Sequence, residues 1–96
     1  MSTKTLAKIY VARLGMSLDE ACDIKSFLEV MDALASNGKG MFLFKIDGER
    51  LEKKYTFVVN LVDADGSVVR LDTDSLVEGC LHVYAQLERL SVHFQL

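Results

Sequence analysis

The chain has 96 residues, half of them apolar and 26% charged, with a net charge of −3. That is enough for one hydrophobic core and too little for two, and the balance excludes an intrinsically disordered chain. Neither half is basic, which argues against phosphate-backbone recognition and so against nucleic acid as a partner.

There is no proline, so the six glycines mark where the hydrophobic pattern changes. The first element is TKTLAKIYVARLG. Leu6, Ile9, Tyr10 and Leu14 fit a helix ending at Gly15; Ile9 and Val11 would also suit a strand, and the helix is favoured. Next, SLDEACDIKSFLEVMDALASNG predicts the main helix, over about 17–37. Ser17 and Glu20 have capping-box spacing, Asp19 and Glu20 suit the positive end of the helix dipole, and Asn37-Gly38 is a left-handed stop. Ala21, Ile24, Leu28, Met31 and Ala35 recur as a core-facing stripe, widened by Phe27 and Leu34. Asp23, Glu29 and Asp32 then lie away from the stripe as an acidic outer surface.

After Gly40 the period becomes two. Phe42, Phe44 and Ile46 alternate with Met41, Leu43 and Lys45 in a first strand, and Asp47-Gly48 marks a turn. Tyr55, Phe57, Val59 and Leu61 share one face of a second strand, and Val69 and Leu71 suggest a third. Asp63-Ala64-Asp65-Gly66 reads as a type I turn within a three-residue hairpin loop, which sets Leu61 opposite Val69 and Val59 opposite Leu71. TDSLVEG suggests a single helical turn capped by Ser75 and Glu78 and ended by Gly79. Two further strands are expected. Leu81, Val83, Ala85 and Leu87 alternate with Cys80, His82, Tyr84 and Gln86, whose face would carry a polar-aromatic cluster with His93. Leu90, Val92, Phe94 and Leu96 then alternate through 90–96. The pattern predicts one α+β domain, with N-terminal helices packed on a mostly antiparallel sheet of about five strands.

Chemistry-bearing motifs are sparse. Asp63, Asp65, Asp72 and Asp74 surround Gly66 as in a calcium loop, yet that alignment puts Leu61 at the first ligand position and shortens the closing glutamate to Asp72. VARLGMSLDEA has the spacing of a helix-turn-helix, but Asp19, Glu20 and Asp23 would face phosphates. Cys22, Cys80, His82 and His93 lack metal-ligand spacing, and there is no GxSxG or glycine-rich phosphate loop. No enzyme, metal or cofactor is therefore expected. The start MSTKTLAKIY lacks an apolar core and no run could span a bilayer, so the chain reads as cytoplasmic, with reduced thiols and no membrane partner.

What remains is an acidic edge: Asp63, Asp65, Asp72, Asp74 and Glu78, joined by Asp23, Glu29 and Asp32 on the helix. These point to a small non-enzymatic protein-binding module that occludes a basic partner surface, as inhibitors, immunity proteins and phage-encoded antagonists do. The alternative is a self-associating regulator, a homodimer formed by edge pairing of the C-terminal strand VHFQL, with a helix-turn-helix DNA-binding regulator ranked behind it.

Overall fold

The structure, a computed structural model, describes residues 1–62 and 66–96. In chain order the elements are α1 (Thr3–Arg13), α2 (Leu18–Ala21), α3 (Ile24–Ser36), β1 (Gly40–Ile46), β2 (Tyr55–Leu61), β3 (Val68–Thr73) and α4 (Leu76–Arg89). The strands form an antiparallel meander in the order β1-β2-β3; α3 and α4 pack against it, and α1 packs on α4. The α+β class is as expected, but the sheet has three strands among the described residues rather than about five.

The helical half begins as the sequence predicts. Ser2 accepts from the Thr5 N–H at the start of α1, and Ser17 and Glu20 form the expected capping box at α2. The main helix, however, does not run unbroken over 17–37. Asp23 adopts an extended backbone (φ −65°, ψ 131°) and its carboxylate accepts from the Ser26 N–H, so it caps a new helix, α3. The break deprives the buried Ala21 carbonyl of a helical donor four residues on. Tyr84 supplies one, its hydroxyl donating to that oxygen at 2.7 Å. The Tyr10 hydroxyl likewise donates to the Val92 carbonyl at 2.7 Å, and burial raises the pKa of both phenols.

The largest correction concerns residues 80–96. Residues 76–89 are one helix, and 90–96 contains no strand. Ser75 is its N-cap, accepting from the Glu78 N–H, but Gly79 does not end it. Leu76, Cys80, Val83, Tyr84 and Leu87 recur at helical spacing and pack into the core. The alternation of Leu81, Val83, Ala85 and Leu87 is a coincidental overlap with that stripe. The segment is also rich in strong helix formers (Leu, Glu, Ala, Gln, Arg), which favours the helix wherever pattern alone is ambiguous. The expected face of Cys80, His82, Tyr84 and His93 does not exist. Cys80 and Tyr84 are buried core residues, while His93 is exposed and stacks on Tyr10.

The β2–β3 register also differs. Val59 faces Val69 and Phe57 faces Leu71, and the Leu61 N–H donates to the Ser67 carbonyl. The pairing is therefore displaced by two residues along one strand from the expected register. The shift preserves which residues share a face, so hydrophobic alternation could not have distinguished the two registers. The expected turn at Asp63-Ala64-Asp65 lies outside the described residues.

Three helices end in the same way. At each, the residue after the cap takes a left-handed backbone and two back-bonded N–H groups close the end: Gly15 (φ 80°) after α1, Gly38 (φ 70°) after α3, and Ser91 (φ 54°) after α4. Ser91 carries a Cβ into a region that costs L-residues about 1–2 kcal/mol. Ser91→Gly is accordingly expected to stabilise the protein by about 0.5–1 kcal/mol, after the glycine's own entropy cost. A rise in denaturant midpoint at unchanged m-value would register this.

Candidate partner-binding surface

The acids singled out in the sequence divide into two groups. Asp72, Asp74 and Glu78 are engaged within the fold. Asp72 accepts from the Thr56 hydroxyl at 2.5 Å and lies beside Arg50 (3.4 Å) and Arg70 (3.6 Å). The Thr56 bond and then the two guanidiniums hold its carboxyl below the usual range. Asp74 accepts from the Lys53 N–H at 2.6 Å, anchoring a residue that itself sits at φ 55°. Glu78 accepts from the Thr73 hydroxyl at 2.9 Å. These carboxylates help hold loops and a helix start in place, while Asp74 and Glu78 remain exposed. Asp63 and Asp65 lie outside the described residues.

Asp23, Glu29 and Asp32 belong to the second group, on the helical side. Asp23 spends one oxygen on its cap, while Glu29 and Asp32 are exposed and make no ion pair among the described residues. Asp19 and Glu20 join them on α2. Residues 17–36 thus hold five acids against the single base Lys25, a net −4 that exceeds the −3 of the whole chain. The molecule's negative charge is therefore concentrated on α2 and α3.

That surface is also apolar in part. The stripe expected to face the core is only half covered. Phe27, Val30, Met31 and Leu34 are buried, whereas Ile24 is 38% and Leu28 46% exposed, and Ala35 is exposed beside them. The signal was present in the composition of α3: eight of its thirteen residues in IKSFLEVMDALAS are apolar, more than one sheet face can cover. Single exposed apolar residues need no explanation, but a contiguous flank rimmed by charge marks contact surfaces.

The flank borders the open edge of β1. The Val62 N–H donates to the Lys39 carbonyl (3.0 Å) and the Asp47 N–H to the Lys54 carbonyl (2.7 Å), which sets the phase of the ladder. Met41, Leu43 and Lys45 are the hydrogen-bonded partners of β2. Phe42 and Phe44 consequently turn their N–H and C=O groups to the outside. Between this edge and α3 lies a groove of about 350 Å³ lined by Leu28, Met31, Asp32, Ala35, Met41 and Phe42. Gly40 starts the strand here because a Cβ would overlap the Asn60 carbonyl. The opposite edge is different: β3 carries Arg70 and Asp72, charges of the kind that discourage strand pairing, while β1 has Lys45 alone.

The remaining groups offer less chemistry. Burial, then neighbouring Cys22, pushes the Cys80 thiol up to about 12, and burial and Asp19 raise Cys22, so neither is poised as a thiolate. Burial and then Arg89 lower the pKa of His82 on α4. Among the described residues no three of His, Cys, Asp and Glu gather as a metal would require. No helix among them is long and apolar enough to cross a membrane. The C-terminal strand that would have paired two copies is absent, since 90–96 instead folds back, with Val92 in the core and the Gln95 carbonyl accepting from Asn37. The chain matches no known protein family, no curated protein and no solved structure.

Proposed function

We propose that the chain is a small non-enzymatic protein-binding module that occludes a basic surface of its partner, in the manner of inhibitors and immunity proteins. Its contact surface is α2–α3, with Leu28 and Ile24 as apolar anchors and Asp23, Glu29 and Asp32 as the acidic rim. The observation that carries this reading is the coincidence of exposed Leu28 and Ile24 with the chain's concentrated negative charge. An apolar centre with a polar rim is the usual anatomy of a protein contact. Asp72, Asp74 and Glu78 lie outside this apolar-acidic surface and each accepts an internal hydrogen bond, so they are assigned a lesser part.

The charge would mainly steer association, so binding should weaken as salt rises. Capture from extracts of the native host, with wild type beside a Glu29→Lys/Asp32→Lys double variant, tests this. The expected result is a basic protein retained by wild type at low salt, released by roughly 0.5 M salt, and retained at least about tenfold less by the variant. Equal retention by both chains would sink the proposal.

A further inference from the structure

We propose that the groove between β1 and α3 takes an extended segment of the partner, which joins the sheet as a fourth strand beside β1. The proposal rests on the functional reading above for the charge of the segment, and on the geometry of the edge for its conformation.

Phe42 and Phe44 present N–H and C=O groups to the outside, two residues apart along the strand. Such groups repeat every ~6.8 Å, and an extended chain repeats its own donors and acceptors at that same interval. A helix laid in the groove would keep its backbone bonds to itself and leave these groups unpaired. The strand's side chains would alternate, one set entering the groove against Leu28, Met31 and Phe42. Asp32 is the one charge in that lining among the described residues, and Glu29 is the next acid on α3. A lysine or arginine beside the apolar positions of the segment is thus the complementary residue.

The rival occupant is the β1 edge of a second copy. Two-fold pairing would bring both α3 helices to the same seam and set two net −4 surfaces side by side. A segment from a basic protein meets the same edge with attraction instead of repulsion.

The test uses the full chain and a phage-displayed library of random decapeptides. The best binder is then titrated and its complex followed by amide hydrogen exchange. The expected peptides alternate apolar residues with Lys or Arg and have no central proline. Binding should slow exchange at the Phe42 and Phe44 amides by more than about tenfold, because those N–H groups become bonded. Asp32→Lys and Leu28→Glu, both at exposed positions, should each weaken binding by roughly tenfold. Basic peptides that bind without slowing Phe42 and Phe44 would overturn strand addition and leave the acidic contact surface standing. Peptides that slow those amides without carrying any base would instead remove the charge reading. Protection of the same amides in the free chain, with a doubled solution mass, would hand the groove to a second copy and overturn the proposal. Failure to enrich any peptide would overturn it too.

Discussion

Gly79→Ala is expected to destabilise the protein by about 2 kcal/mol or more, although helix propensity alone predicts a gain of about 1 kcal/mol. Gly79 lies inside α4, and a Cβ built on it would overlap three carbons of the Phe57 ring. That ring is fully buried and cannot easily yield. Phe27 lies 5.8 Å and Phe44 5.0 Å from it edge-on, with Phe42 tilted at 6.3 Å. Either α4 lifts from the sheet or the aromatic cluster repacks, and both forfeit close contacts. A fall in melting temperature of about 10 °C follows for a domain of this size. A more stable Gly79→Ala protein would mean that α4 does not cross the sheet at Phe57.

Phe27→Ala is expected to cost about 3–5 kcal/mol, a large part of the ~5–15 kcal/mol that holds a typical domain together. Phe27 is fully buried at the point where helix, sheet and C-terminal helix meet. Its ring packs edge-on against Phe42 (5.3 Å), Phe57 (5.8 Å) and Tyr84 (5.4 Å), three partners from β1, β2 and α4. Truncation leaves a cavity lined by rigid rings, which collapse poorly, so the cost should lie toward the upper end. Phe27→Leu preserves most of the volume and should lose less than half as much. Urea denaturation of the pair gives both values. Equal losses would show that the site tolerates shape change and that the aromatic geometry contributes little.

These two positions also show what the sequence could and could not reveal. Phe27 was legible as a core residue because it belongs to the 3.6-residue pattern of α3. In the sequence Gly79 has the place of a helix stop, since a glycine after a capped turn usually is one; its actual role, close approach to Phe57, depends on a strand twenty-two residues earlier. Period-two patterning correctly placed β1, β2 and β3. The same rule misassigned 80–87, where helical and alternating templates both fit Val83 and Leu87. In 90–96 the alternation of Val92 and Phe94 reflects a tail packed back on the core without a strand partner.

The candidate surface was half visible. Glu29 and Asp32 are exposed where the helical period puts them. Asp72, Asp74 and Glu78 were equally acidic in the sequence, but their partners Thr56, Lys53 and Thr73 are brought to them by the sheet and its flanking loops. Pattern analysis sees charge and cannot see such commitments. Conversely, Ile24, Leu28 and the β1 edge are exposed in a sheet that has three strands among the described residues in place of the expected five.

Amide hydrogen exchange of the free chain tests that last point most directly. If the β1 edge is open and awaiting a strand, Phe42 and Phe44 should exchange at nearly unprotected rates, while Met41 and Leu43, bonded to β2, exchange at least about a hundredfold more slowly. Uniform protection along residues 41–45 at low protein concentration would contradict the account, because it would mean that the edge is already satisfied within the chain.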